Sequence, residues 1–114
     1  MIKILNRGFI SVSPKPSFYK EVAKEIDDFI TECINPEPTI YLIEEDFWDN
    51  ESILKKHFKK ILSCEKRQLS PMCQLELTEI KAENMNQYFS FSFGNLVIDN
   101  EDSGIELTKD DLSN

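Results

Sequence analysis

The chain has 114 residues, the length of one domain with one hydrophobic core. A content of 40% hydrophobic and 11% aromatic residues excludes a disordered chain. The net charge of −8 repels nucleic acids and anionic membranes and attracts basic protein surfaces. We therefore expect a single domain over residues 1–114, with an acidic tail that frays from about residue 109.

The charge is uneven along the chain. Residues 53–67 hold six basic side chains and one acid, which gives +5 and leaves −13 for the rest. An ordinary solvated helix has this composition, and the global negative field disfavours direct contact with nucleic acid. Such a helix would also suit docking on the acidic surface of another copy, so we expect a monomer or a weak homodimer.

The cysteines and the N-terminus indicate the compartment. Cys33, Cys64 and Cys73 are odd in number and lack CxxC spacing, so they predict free thiols rather than a disulfide framework. Residues 1–12 lack the apolar segment of a signal peptide, and no run approaches the ~20 apolar residues of a membrane-spanning helix. We expect a soluble, cytoplasmic protein with no membrane contact.

Residues 2–43 predict two or three strands and one helix. Apolar runs at 2–5 and 9–12 flank Asn6-Arg7-Gly8, and they form either a hairpin with a three-residue loop or one bent strand. Ser17 is a candidate N-cap for a helix that runs to about Asn35, with an apolar face at helical spacing. Residues 39–43, TIYLI, are continuously apolar, which predicts a strand covered on both faces near the sheet centre.

The second helix and the late strands follow. Asp49 or Asn50 caps a helix that ends near Lys66, residues 74–81 suggest a strand, and residues 82–87 suggest a turn or loop. Phe89, Phe91 and Phe93 alternate with polar residues, which predicts a half-buried strand. Gly94-Asn95 then predicts a two-residue hairpin that pairs Phe93 with Leu96. A further short strand is expected at 105–108.

This order of elements predicts the fold class. Helices and strands are mixed, but the late strands are consecutive. We expect an α+β fold in which two helices pack on one face of a largely antiparallel sheet.

The segment EEDFWDNE, residues 44–51, is the first candidate for function. Its five acids surround Phe47 and Trp48, the only tryptophan of the chain. Tryptophan is favoured at binding hot spots, and carboxylates steer a basic ligand toward them. The alternative is that both aromatic residues pack under the second helix while the acids remain in solvent.

Other groups of residues are weaker candidates for a functional site. Residues 99–110 resemble a calcium loop, but a plain acidic turn fits better because a strand precedes it. Glu79-Ile80-Lys81 resembles part of a nuclease metal site, with Asp46 or Asp49 as the distant acid, yet exposed strand residues are the better account. His57 suggests a histidine at the core edge. We expect no metal, no cofactor and no catalytic residue.

In size, charge, cytosolic character and α+β pattern, the chain resembles the small acidic immunity proteins of contact-dependent growth inhibition and bacteriocin systems. No motif is shared, so no functional residue is carried over. The resemblance implies a non-enzymatic protein that forms a tight complex with a basic nuclease toxin and covers its active site with carboxylates.

Two groups of residues are candidates for the partner-binding surface. The first comprises Glu44, Glu45, Asp46, Trp48, Asp49 and Glu51. The second is the acidic turn with Asp99, Glu101 and Asp102. Two alternatives remain open, namely a phage or host adapter whose acidic surface mimics nucleic acid, and a small metal-dependent enzyme that uses Glu79 and Lys81.

Overall fold

The structure, a computed structural model, describes residues 3–26, 37–69 and 77–101. The predicted α+β class is confirmed, with antiparallel sheets and two long helices. The elements in chain order are β1 (Lys3–Leu5), β2 (Gly8–Pro14), α1 (Pro16–Glu25), β3 (Thr39–Ile43), α2 (Asn50–Leu69), a 3-10 helix (Ala82–Gln87), β4 (Phe89–Gly94) and β5 (Val97–Asp99).

The described strands form two antiparallel sheets. The larger has the order β3-β2-β4, and the smaller pairs β1 with β5. The two sheets belong to one long ribbon, because β1 runs into β2 and β4 runs into β5. Of the two interpretations of residues 2–12, the bent strand is therefore confirmed.

The ribbon bends at a β-bulge. Leu5 lies opposite Val97, and Phe9 lies opposite Gly94. Three residues, 6–8, therefore face the two residues 95–96. One extra residue on one strand locally bends and twists the pair and shifts its alternation by one position.

The predicted hairpin at Gly94-Asn95 is wrong. β4 and β5 do not pair with each other. Instead, β4 pairs with β2, and β5 pairs with β1. Gly94 serves close packing, because a Cβ added there would lie 2.3 Å from Cε1 of Phe9. The ring of Phe9 thus lies over Gly94, and this glycine allows close packing between strands rather than a turn.

The predicted central position of β3 is also wrong. Among the described strands, β3 has β2 as its only hydrogen-bonded neighbour. Its side chains alternate, with Ile40 and Leu42 exposed and Ile43 buried. A continuous apolar run here reflects one face in the core and one apolar face in solvent, which composition alone does not distinguish.

Helix α1 begins and ends earlier than predicted. Pro16 occupies its first turn, where the missing N–H is tolerated, and Lys15 is the N-cap. Ser17 instead donates from its hydroxyl to the Gln87 carbonyl. Ile26 is extended, so the helix ends at Glu25 without a glycine or proline. The remainder of the predicted helix, 27–35, lies outside the described residues.

Helix α2 matches its prediction at the start and extends three residues further, to Leu69. The predicted strand 74–81 is wrong in its described part, because residues 77–80 form a turn in which Ile80 N–H donates to the Leu77 carbonyl. Residues 82–87, predicted as a turn or loop, form one short 3-10 helix. Residues 105–108 lie outside the described ranges.

The core lies between the helices and one face of the larger sheet, here called the inner face. Ile10 and Val12 of β2 are fully buried on it. Phe18 of α1 packs on Phe89 of β4, with ring centroids 4.7 Å apart. Tyr41 of β3 reaches α2 through hydrogen bonds. The predicted packing of both helices on one face is thereby confirmed, and the opposite face of the sheet is called the outer face.

Replacing Gly8 by alanine is expected to destabilise the protein. The new methyl would lie 2.9 Å from the Gly94 carbonyl oxygen and 3.0 Å from the Glu44 carbonyl oxygen. Since backbone atoms cannot rotate away, whole segments must separate, and overpacking of this kind costs about 1–3 kcal/mol. Urea unfolding measures this loss. In the control, Gly94→Ala, the obstacle is the Phe9 ring, which can rotate, so we expect a smaller loss; the reverse order would contradict this account of the bulge.

Candidate functional site

The acidic tip, defined as residues 44–51, is fastened to the bulge of the ribbon. Asn95 Nδ2 donates to the Glu45 carbonyl at 2.7 Å. The Glu44 carbonyl lies against Gly8, at 3.0 Å from the position of an added Cβ. These contacts to the tip backbone hold the tip beside the junction of β4 and β5.

Phe47 and Trp48 have opposite environments. The Phe47 ring is half-buried and packs on Phe93, with ring centroids 6.4 Å apart. Trp48 is fully exposed. The interpretation that both residues pack in the core is therefore correct for Phe47 only. Trp48 is exposed to solvent.

Glu44 is engaged within the protein. Its carboxylate bonds to Lys56 Nζ and lies 2.7 Å from His57 Nε2. These bonds, that to Lys56 first, lower the pKa of Glu44 from 4.5 to about 2. Glu44 thus links the end of β3 to α2 and has less capacity to bind a partner. His57 is half-buried, which agrees with its predicted place at the core edge.

The carboxylates of Asp49 and Glu51 interact with residues in the first turns of helix α2. Ser52 donates to Asp49 Oδ2 from its hydroxyl at 2.6 Å and from its backbone N–H at 3.1 Å. The predicted cap is confirmed, and these bonds lower the pKa of Asp49. Glu51 lies 3.6 Å from Lys55 Nζ, an exposed pair one helical turn apart.

Glu45 and Asp46 differ from the other acids of the tip. Both are exposed, and no described residue pairs with either carboxylate. Trp48 follows them directly. The tip therefore presents an exposed indole next to two carboxylates that no described residue pairs with. Phe47 anchors this segment by packing on Phe93.

The second acidic group lies at the far end of β5. Asp99 Oδ1 accepts a hydrogen bond from the Glu101 N–H at 3.0 Å, which closes a small turn. Asp102 lies outside the described residues. Asp99 lies four positions after Asn95, which holds the tip, and an extended chain spans about 13 Å over that distance. The structure thus places the two acidic groups at opposite ends of one exposed segment.

A buried acid was missed by the sequence reasoning. Glu65 of α2 is 2% exposed, and its Oε2 accepts from Tyr41 Oη at 2.5 Å and from Gln68 Nε2 at 3.2 Å. Loss of hydration raises the pKa of Glu65 in spite of these donors. Its spacing of four from the buried Ile61 was the signal that placed it on the inner face of the helix.

Glu65 borders a cleft of about 200 Å³. The lining residues are Pro14, Phe18, Tyr19, Glu37, Glu65, Gln68 and Leu69. Among the described lining residues, the titratable side chains are Tyr19, Glu37 and Glu65. The hydrogen bonds of Glu65 fasten α2 beneath β3.

The context expected for a nuclease-like metal site is absent from residues 79–81. They lie in the turn before the 3-10 helix rather than at a strand end, and Asn84 accepts from the Lys81 N–H and donates to the Glu79 carbonyl. In the described ranges no cluster of three metal-ligating side chains occurs. Cys64 is a half-buried free thiol; Cys33 and Cys73 lie outside those ranges.

Comparisons of the chain with protein-family models, with curated proteins and with solved structures found no match. Among the helices of the described ranges, none has the length and apolar character needed to cross a membrane.

The variant Glu44→Gln tests the internal pairing of the tip. A lowered pKa in the folded state contributes stability above the unfolded value near 4.5, and this stability is lost as the pH falls toward about 2. Urea unfolding should therefore show wild type losing stability relative to Glu44→Gln across that window. Glu45→Gln serves as the control and should track wild type; parallel curves for Glu44→Gln and wild type would refute the pairing.

The variant Glu65→Gln tests the raised pKa of the buried acid. The expected change of stability with pH has the opposite sign to that for Glu44. A raised pKa means that the folded state keeps a proton that the unfolded state releases, so stability falls as the pH rises above about 4.5. Glu65→Gln lacks this decline, and its free energy of unfolding relative to wild type should increase with pH. Glu83→Gln, at an exposed position, should leave the slope unchanged. If Glu65→Gln also leaves it unchanged, the carboxyl is not titrating in the core.

Proposed function

We propose that this chain is a non-enzymatic binding protein whose acidic tip engages a basic protein partner. The observation that carries the proposal is the full exposure of Trp48 beside the exposed carboxylates of Glu45 and Asp46, which pair with no described residue. An exposed indole gains apolar burial only when a partner covers it. The adjacent carboxylates select a partner of positive charge and raise its rate of association.

The anchoring of the tip supports this function. Phe47 and the Asn95 hydrogen bond hold the segment in place before any partner arrives. A preformed contact surface avoids part of the ordering entropy that a flexible loop loses on binding. Within the proposal, Glu44 is a positioning residue, and Glu45, Asp46 and Trp48 make the contacts.

The partner proposed is the nuclease domain of a toxin, and the chain is its immunity protein. Nuclease active sites bind phosphates through lysine and arginine side chains, so carboxylates presented there occupy the place of the substrate. A net charge of −8 adds a long-range attraction to such a basic surface. The acidic turn at Asp99 and Glu101 provides a second, smaller group of contacts.

Growth protection tests the proposal. The protein encoded by the neighbouring gene is expressed alone and together with this chain; we expect the former to arrest growth and the latter to restore it. The variant Glu45→Lys/Asp46→Lys should lose protection and weaken binding of the purified partner by at least about tenfold, equal to ~1.4 kcal/mol. Its association rate should also respond less to added salt.

The matched control is Glu25→Lys/Glu83→Lys, which makes the same change of net charge at exposed positions outside the tip. It should protect as wild type does. Equal losses for the two double variants would show that only total charge matters. A neighbouring protein that is neither basic nor toxic would favour an adapter that mimics nucleic acid.

A further inference from the structure

The outer face of the larger sheet has two halves of different chemistry. In the half nearest Pro14, β2 and β4 present only hydroxyl side chains, those of Ser11, Ser13, Ser90 and Ser92. Toward the bulge the character changes, because Leu42 lies opposite Phe9, and the Phe9 ring covers Gly94. The serine side chains need no cover, whereas the half near the bulge, together with Ile40 opposite Ser11, leaves apolar surface in water.

The apolar half continues onto the smaller sheet. Ile4 and Ile98 lie directly opposite each other, and Leu96 precedes Ile98 by two residues. Along β4 and β5 the even-numbered residues, such as Leu96 and Ile98, face outward. On the opposite strand, outward-facing residues are odd-numbered in β2 and even-numbered in β1, because the bulge adds one residue between them. Phe9 and Ile4 therefore lie on the same face. Register therefore places these side chains on one continuous face.

The resulting apolar strip consists of Ile4, Phe9, Ile40, Leu42, Leu96 and Ile98. Apart from the half-buried Phe9, the exposed fractions are 73% for Ile4, 62% for Leu96, 55% for Ile40 and 49% for Leu42 and Ile98. Scattered exposed aliphatic residues are ordinary, but several on one face indicate an interaction surface.

We propose that the apolar strip is the centre of an interface for a protein partner whose matching surface is apolar and bordered by lysine or arginine side chains. This inference rests on the proposed function and defines the chemistry of its partner. The strip adjoins the acidic tip, because Leu42 lies two residues before Glu44 and Asn95 joins the Glu45 carbonyl. The tip therefore begins where the strip ends, and Trp48 belongs to the tip.

Charge selects the occupant of the strip. Glu45 and Asp46 lie at one end, and Glu101 follows β5 at the other. Asp99 and Lys3 are paired and lie on the opposite face of the smaller sheet by the same alternation. The Arg7 guanidinium donates to the Asn6 carbonyl. An apolar centre with an acidic border matches a partner with an apolar centre and a basic border.

A second copy of the chain fits the strip poorly. A two-fold interface uses the same patch on both subunits, so it sets one acidic border against another. Each copy also carries a net charge of −8. Both effects oppose self-association, although they favour a basic partner.

The test uses three synthetic peptides of about eight residues as probes, which alternate Leu-Lys, Leu-Glu or Ser-Lys. Binding is followed through the methyl NMR signals of Ile4, Leu42 and Ile98. We expect the Leu-Lys peptide to shift these signals and to bind at least about tenfold more tightly than either other peptide. Equal affinity for the Ser-Lys peptide, or Leu-Lys binding without methyl shifts, overturns the inference.

The variant Ile4→Thr/Leu42→Thr/Ile98→Thr removes apolar surface and places threonine, a residue with high strand propensity, at all three positions. It should lose the preference for Leu-Lys over Ser-Lys. The control, Ser90→Thr/Ser92→Thr, alters the polar half of the same face and should keep that preference. Urea unfolding confirms that both variants fold. Sedimentation should show a monomer, and a concentration-dependent dimer whose formation the strip variant abolishes overturns the inference.

The growth assay separates this inference from the proposed function. If wild type protects cells and the strip variant protects equally, the function stands and the strip is not its interface. If wild type does not protect but the Leu-Lys peptide still binds at the strip, the surface is supported and the toxin partner is refuted.

Discussion

The close approach of three backbone segments at Gly8 is the constraint on which the rest of the structure depends. The carbonyls of Glu44 and Gly94 lie so near this residue that a side chain there would separate them. The bulge that results bends the ribbon, orients the segment after β3 and leaves room for Phe47 at the end of the core. The acidic tip and the apolar strip owe their proximity to this one junction.

Electrostatics then divide the acids of the tip by function. Lys56 and His57 of α2 bind Glu44, and Ser52 binds Asp49, so two carboxylates stabilise the junction between strand and helix. The lysine-rich helix is thereby a local counter-charge for the tip. Glu45 and Asp46 are exposed and pair with no described residue, so they supply the charge that the proposed partner would meet.

A buried polar pair sets the position of α2. Glu65 is almost fully buried and takes its hydrogen bonds from Tyr41 and Gln68, so α2 must lie where Tyr41 of β3 can reach it. A buried polar group left without partners is costly, which disfavours other placements of the helix. This contact turns Tyr41 inward and, by alternation, turns Ile40 and Leu42 outward onto the exposed face.

The sequence by itself determined the α+β class, the helix after Asp49, the alternating β4 and the acidic, aromatic composition of the tip, because these are local patterns of periodicity, capping and charge. Only the tertiary structure decided that β3 is an outer strand among the described ones, that Gly94 packs against Phe9 instead of turning a hairpin, and that Phe47 is half-buried while Trp48 is exposed. Those outcomes depend on contacts between residues far apart in the chain, and strand pairing across such distances leaves no signature in the residues nearby.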